Sequence, residues 1–249
     1  MKGTWLLVLA LAVPAAAADD KPKEKSSNEA QKDAEKAAKK RAHEAAEEAE
    51  ERAEETKEFA EKLAKRIEKG NEQRRKDTEE AIKDFNDRVK DYLKVHKKAA
   101  ESLPALTGNE DPVTVAAHRM ALAQAIRVRR SAARRGDLFD ARVVPTIVAR
   151  VRAELQGPEA RPARKVIREG NPDYDPEGYV PVPMRVNADY PLRAPVSTVP
   201  ASVLLVLPSV PEALDYRFVG RDLILRDVEA NLILDYILDA TPPLPRPTR

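Results

Sequence analysis

Apolar residues follow three different rhythms along this chain, and each predicts a different kind of structure. From about Ser27 to Ser102 the sequence is dominated by Ala, Glu, Lys, Arg and Gln, residues that lose least on entering a helix. Over residues 28–58 the positions that share a helical face are Ala42, Ala45, Ala49 and Ala53, which offer only methyl groups. Farther on, Phe59, Leu63 and Ile67, then Ile82, Phe85, Val89 and Tyr92 or Leu93, recur three and four apart, as a packing face requires. The first half of this helix should therefore be solvated, and the second half should have a partner. Ser27 or Asn28 can cap its start, and Leu103-Pro104 ends it, because the residue before proline is pushed out of helical geometry.

Gly70 is the only glycine between Pro22 and Pro104, and a hairpin at Gly70-Asn71 competes with an unbroken helix. Folding there would set Lys62, Lys65, Arg66 and Lys69 against Arg74, Arg75 and Lys76. Glu35/Lys39, Glu48/Arg52, Glu58/Lys62, Glu61/Lys65, Glu72/Lys76, Glu79/Lys83 and Asp84/Arg88 sit four apart in the favourable order. Together such pairs contribute about 1.5–3.5 kcal/mol, against about 1 for a helical glycine. The pattern predicts one continuous helix over 27–102, roughly 110 Å long at about 1.5 Å per residue.

The second rhythm begins at Asp111-Pro112, a capping acid followed by proline where its missing N–H does no harm. Val115, His118, Leu122 and Ile126 then form one helical stripe to about Ala133, with Gly136 as the expected close. Another helix is expected from about Asp140 to Gln156, burying Val144, Ile147, Val148, Val151 and Leu155. Pro145 at its fifth position predicts a kinked or delayed start, and Gly157-Pro158 stops it. Between Pro158 and Pro211 lie 11 of the chain's 20 prolines, which predicts extended segments laid over a surface. Ala163–Glu169 and Pro200–Leu207 are expected as short helices and Met184–Ala188 as a short strand.

The third rhythm is three short apolar runs, Tyr216–Val219, Leu223–Arg226 and Leu232–Ile237. They are separated by Gly220-Arg221-Asp222 and by Asp227–Asn231, the signature of an antiparallel meander. Such a sheet needs a cover on one face, and the helices of 112–156 are the expected lid. The fold class is therefore α+β: a long charged N-terminal helix, then a small helical body packed on a C-terminal antiparallel β meander. The expected divisions are a leader at 1–18, a disordered linker at 19–26, the charged helix at 27–102 and a helical pair at 111–156. A proline-rich extended segment at 157–211, the meander at 212–240 and a disordered tail at 241–249 complete them.

Charge sharpens the picture of the long helix. Residues 19–101 hold 23 Lys+Arg and 24 Asp+Glu, a solvated composition with almost no net charge. The charges are nevertheless sorted: residues 44–61 carry nine acids against Arg52 and Lys57, and 62–76 carry seven bases against Glu68 and Glu72. Blocks of opposite sign can align a second copy in a staggered or antiparallel coiled coil. The formal charge of the whole chain is +2, which gives no reason to expect nucleic acid as a partner.

The N-terminus reads as a cleavable export leader. A basic start precedes the apolar stretch Trp5–Val13, and small residues at Ala16 and Ala18 precede Asp19-Asp20. The apolar run ends at Pro14, short of the roughly 20 residues a membrane span needs, so no span is expected in the mature chain. The chain has no cysteine, which rules out disulfides and thiolate metal sites. A periplasmic or secreted location follows as the expectation, with packing alone holding the fold.

A resemblance enters at the C-terminus. The run Tyr216-Arg-Phe-Val-Gly-Arg-Asp-Leu-Ile-Leu-Arg-Asp-Val-Glu-Ala-Asn-Leu-Ile-Leu-Asp-Tyr236, with Arg185-Val-Asn-Ala-Asp-Tyr-Pro191 and Ser197-Thr-Val-Pro200, resembles a group of uncharacterised exported bacterial proteins. The likeness covers about residues 136–240 and implies a signal peptide and a compact β unit, with no established activity. The terminal hairpin alone is similar to small periplasmic nickel/cobalt-homeostasis modules. No metal ligand carries over, because the matching stretch holds neither His nor Cys.

Chemistry is sparse elsewhere. His43, His96 and His118 have no second histidine at i+4, and a lone helical histidine without neighbouring ligands cannot complete a metal site. There is no Gly-rich phosphate loop and no Gly-x-Ser-x-Gly turn. The turn Asp173-Tyr-Asp175-Pro-Glu177-Gly178 starts like a calcium loop but has Met184 at position 12, where the loop needs a bidentate Glu. Arg127, Arg129, Arg130, Arg134 and Arg135 crowd a helix end, where the macrodipole already favours cations. The sequence thus points to a non-enzymatic envelope protein that uses its long helix as a spacer or association arm. Its expected partners are a second copy or an unidentified protein or envelope component, and no catalytic residue, cofactor or metal is assigned. The alternative is a ligand-binding module, holding a divalent cation at Asp173–Gly178 or a phosphate-bearing envelope component at Arg127–Arg135.

Overall fold

The computed structural model describes residues 24–171 and 180–244 and has an α+β fold. A long helix, α1 (Glu24–Ala100), precedes α2 (Pro112–Arg129), α3 (Val143–Glu154), α4 (Arg161–Arg168) and α5 (Ala201–Val206). The strands β1 (Leu214–Val219), β2 (Asp222–Asp227) and β3 (Leu232–Ile237) follow. Two compact units divide at Lys69/Gly70. Among the described residues no helix is long and apolar enough to cross a membrane.

Within the first unit the described side chains, from 31 to 69, are all exposed. The expected ion pairs Glu35–Lys39, Glu48–Arg52 and Glu58–Lys62 form at 2.9, 3.4 and 2.6 Å. The helix is already formed at Glu24, ahead of the caps expected at Ser27 or Asn28 and inside the linker expected over 19–26. It runs through Gly70, where a Cβ would meet nothing within 4 Å. The competing hairpin does not form.

The second unit holds the core. Ala81, Phe85, Val89, Tyr92 and Ala99 of α1 pack with Leu122 and Ile126 of α2 and with Val143, Ile147 and Val151 of α3. The same cluster takes in Tyr216, Phe218, Leu223, Leu225 and Leu234 of the sheet. The lid therefore includes the last third of α1 as well as the helices of 112–156. Phe85 stacks on Phe139 at 5.5 Å, and Phe139 on Tyr216 at 6.4 Å. Docking also redirects charge: Asp84 and Arg88 are engaged by Arg142 and Asp140, with Arg88 2.8 Å from Asp140. They do not form the intrahelical pair that their spacing suggested.

Asp111 caps α2, accepting from the N–H groups of Val113 and Thr114 at 2.9 and 3.2 Å. Pro145 delays α3 to Val143, where Asp140 accepts from the Arg142 and Val143 N–H groups at 3.0 Å. The helix α2 ends at Arg129, four residues short of the expected Ala133, and Gly136 does not close it. The reason is tertiary: the Arg130 carbonyl accepts from Asn187, and Gly136, at φ 94, serves a separate loop.

The sheet is antiparallel in the order β1-β2-β3, with Phe218 opposite Leu223 and Ile224 opposite Tyr236. Gly220 takes φ 57 at the first position of the two-residue β1–β2 turn, as a type II′ hairpin requires. The second face of the sheet carries Val219, Ile224 and Ile233 beneath Tyr190 and Ala194, with Val180, Val182 and Met184 packed against them. The proline-rich chain thus lies extended over this face. The strand expected at Met184–Ala188 is instead a turn, and pairing is limited to an Asp189–Leu232 bridge. Pro181, Pro183 and Pro191 have no N–H to donate, and Asn187 sits at φ 61, so no ladder can extend. The tail expected to be disordered from 241 begins with Thr241 and Leu244, both buried.

Candidate functional site

The chain's chemistry gathers where α1 meets the β2–β3 turn. Asp227 pairs with Leu232 and Asp235 pairs with Leu225 in the β2–β3 register, so each carboxylate stands among apolar residues. Both are fully buried. A carboxylate in such a position must find hydrogen-bond donors or lose its charge.

Asp227 finds them on α1. The Tyr92 hydroxyl donates to its Oδ2 at 2.5 Å, His96 Nδ1 lies 2.6 Å from the same oxygen, and the Ala230 N–H donates to Oδ1 at 2.7 Å. His96 Nε2 lies 3.2 Å from Glu229, whose other oxygen is 3.8 Å from His118 Nε2. Both ring nitrogens of His96 therefore face carboxylate oxygens, and only the imidazolium can donate to both. The hydrogen bond to Asp227 raises the His96 pKa above the ordinary histidine value. Burial opposes that shift, and the charges of Asp227 and Glu229 reinforce it. Burial and the Asp227 charge push the Tyr92 hydroxyl well above the usual tyrosine range, so it stays protonated.

Asp235 finds its donors in the loop before α3. The N–H groups of Gly136, Leu138 and Phe139 donate to it at 2.9–3.0 Å, and that of Tyr236 at 2.8 Å. Burial raises its pKa, and those four N–H groups oppose the rise.

This arrangement fastens elements together. A histidine acting as a general base directs its free nitrogen at a nucleophile or a substrate proton, whereas His96 Nε2 is met by Glu229. Among the described residues no group of three His, Asp or Glu side chains is arranged to hold a metal ion. His43 lies apart on the exposed part of α1, near Glu47 at 3.6 Å. The turn Asp173–Gly178 lies outside the described residues.

Within the arginine cluster, Arg127 and Arg130 are partly buried and work as internal ties. Arg127 donates to the Asn187 carbonyl at 2.9 Å and pairs with Asp189 at 2.6 Å. Arg130 donates to Asn187 Oδ1 at 2.8 Å and lies over the Tyr92 ring at 5.1 Å. Arg129 reaches the Lys98 carbonyl at 3.2 Å, and Arg135 lies 5.6 Å from the centre of the Tyr236 ring. Arg127 and Arg130 thus hold the 187–189 segment and Arg129 the end of α1, while Arg129, Arg134 and Arg135 are exposed. A groove near them is lined by Met120, Tyr190 and Leu192 together with Arg119, Arg127 and Asp189.

The other candidate is the face of α1 in the first unit. Phe59, Leu63 and Ile67 are 68%, 45% and 53% exposed. They were expected to have a partner together with Phe85 and Val89, and within the chain they have none among the described residues. Sequence reasoning found these three and the arginines but missed Asp227, Glu229 and Asp235. The signal was there: Leu-Ile-Leu-Asp235 and Leu223-Ile-Leu225-Arg-Asp227 place a carboxylate at an inward strand position, which demands a donor from elsewhere in the fold.

No protein-family model matches this chain, no curated protein matches it, and no solved structure matches it.

Proposed function

We propose that this is a non-enzymatic exported protein, periplasmic or secreted, whose long helix is an association arm carried by a folded α+β body. The observation that carries the reading is the row Phe59, Leu63 and Ile67, exposed on a helix whose other described side chains from 31 to 69 are also exposed. Large apolar residues aligned on one helical row without a cover are the usual mark of a contact surface. The body supports the same reading, since its buried carboxylates and the partly buried Arg127 and Arg130 are taken up by internal contacts. The leader-like residues 1–18 and the likeness of Tyr216–Tyr236 to exported bacterial proteins support the compartment.

The test is site-specific photo-crosslinking in a Gram-negative cell that exports the chain, with the crosslinker at Leu63 or, as a control, at the exposed Val113 of the body. Defined adducts from Leu63 and none from Val113 are expected. Adducts from Val113 alone, or from neither position, overturn the reading. Mass spectrometry of the purified chain checks export, with cleavage expected after Ala18.

A further inference from the structure

The row on α1 has a geometry that selects its partner. Phe59, Leu63 and Ile67 are spaced four and four, so they form a single i±4 ridge instead of the alternating three and four of a coiled-coil seam. Two such ridges interdigitate when the helices cross at about −50°, with contact confined to the crossing. A three-residue ridge suits that local crossing. It does not suit a long zipper, and the alanines at 42, 45, 49 and 53 do not extend it.

Charge then fixes direction. On one side of Leu63, residues 50–62 carry six acids and three bases. On the other side, residues 64–76 carry six bases and two acids. Parallel copies would set the acidic flank on the acidic flank and the basic on the basic. Antiparallel copies exchange them, so opposite signs meet on both sides of the crossing.

We propose that a second copy of this chain covers the row, its α1 running antiparallel, with the two Leu63 side chains meeting on the two-fold axis. This rests on the association-arm reading and names the partner. In that register Phe59 of each copy packs on Ile67 of the other, and the interface is self-complementary, as a two-fold contact requires. Salt should weaken it, because the exposed flanking charges are screened beyond about 8 Å at physiological ionic strength.

The absence of native cysteine allows disulfide trapping in the full chain. Helices about 8–10 Å apart with Cα radii of about 2.3 Å bring facing Cα atoms to about 3.5–5.5 Å. That is within disulfide reach, whereas Phe59 and its own symmetry mate are displaced along the axis by eight residues, about 12 Å. Under mild oxidation Leu63→Cys is expected to cross-link to itself. Phe59→Cys mixed with Ile67→Cys is expected to cross-link at least about tenfold faster than either does alone, given that offset against the reach of a disulfide. The variant Lys65→Glu/Arg66→Glu/Lys69→Glu, which makes both flanks acidic, should run as a monomer in light scattering while circular dichroism shows the helix intact.

Self-linking of Phe59→Cys and Ile67→Cys as fast as Leu63→Cys would mean parallel copies and overturn the proposal. A monomeric mass for the native chain at all concentrations, with no trapping at Leu63→Cys, also overturns it. In cells the two readings separate by adduct mass at Leu63. Twice the chain mass supports both, another mass overturns only the second copy, and no adduct overturns the arm itself.

Discussion

Two phenylalanines on one helix, Phe59 and Phe85, have the same neighbours in kind and opposite fates. Phe59 is 68% exposed and Phe85 is 1% exposed. Each lies in an apolar row spaced by four, Phe59-Leu63-Ile67 and Phe85-Val89, and each row is flanked by charge of both signs, Lys, Arg and Glu around the first and Lys, Arg and Asp around the second. The difference is supplied from outside the helix. Phe85 meets Phe139, Tyr216 and the sheet, while Phe59 meets no second element of its own chain among the described residues. A single amphipathic pattern is therefore a core face in one unit and an uncovered face in the other.

The largest effect expected from breaking this contrast is at Phe85. Phe85→Ala removes a ring from a closed core and should cost about 3–5 kcal/mol, read as a lower urea midpoint. Next comes Asp235→Ala, which leaves the buried N–H groups of Leu138 and Phe139 without an acceptor. At about 1–3 kcal/mol per orphaned group, a loss of about 3 kcal/mol is expected, together with faster amide exchange across 136–139.

A smaller effect is expected from pH, through the contact between α1 and the β2–β3 turn. The folded chain holds the His96 proton more tightly than the unfolded chain, through Asp227 and Glu229. That contribution is full below the ordinary histidine value of about 6.5 and is lost as pH rises through the higher folded value. Unfolding free energy should therefore fall as pH rises above about 6.5. His96→Gln should flatten that slope, and a slope unchanged by the substitution would show that another group sets it. The smallest effect on stability is expected at Phe59: Phe59→Ala should change the unfolding free energy of the body, read from urea titration, by no more than about 0.5 kcal/mol. Its effect should appear in the oligomeric mass.

The helix, its passage through Gly70, the Asp111-Pro112 start of α2, the delayed α3 and the three strands were all legible in local pattern. Each rests on propensity, capping or turn chemistry within a few residues of chain. The candidate site was legible only in pieces. Phe59, Leu63, Ile67 and Arg127–Arg135 stood out by spacing or charge, but the arginines read as a surface because their acceptors at 187–189 are about 60 residues away. Asp227 read as a turn residue because its donors Tyr92 and His96 lie more than 130 residues earlier.

By itself, then, the sequence determined the main helices, the three strands and the proline-bound extension, though not the 184–188 turn, since those choices depend on interactions within one or two turns of chain. Only the tertiary structure decided where α2 stops, which carboxylates are buried and what the arginines hold, and that one apolar row of α1 is closed while the other is open. Those outcomes depend on donors and surfaces far apart in the chain, and a buried charge or an apolar ridge acquires its meaning only from what is brought against it.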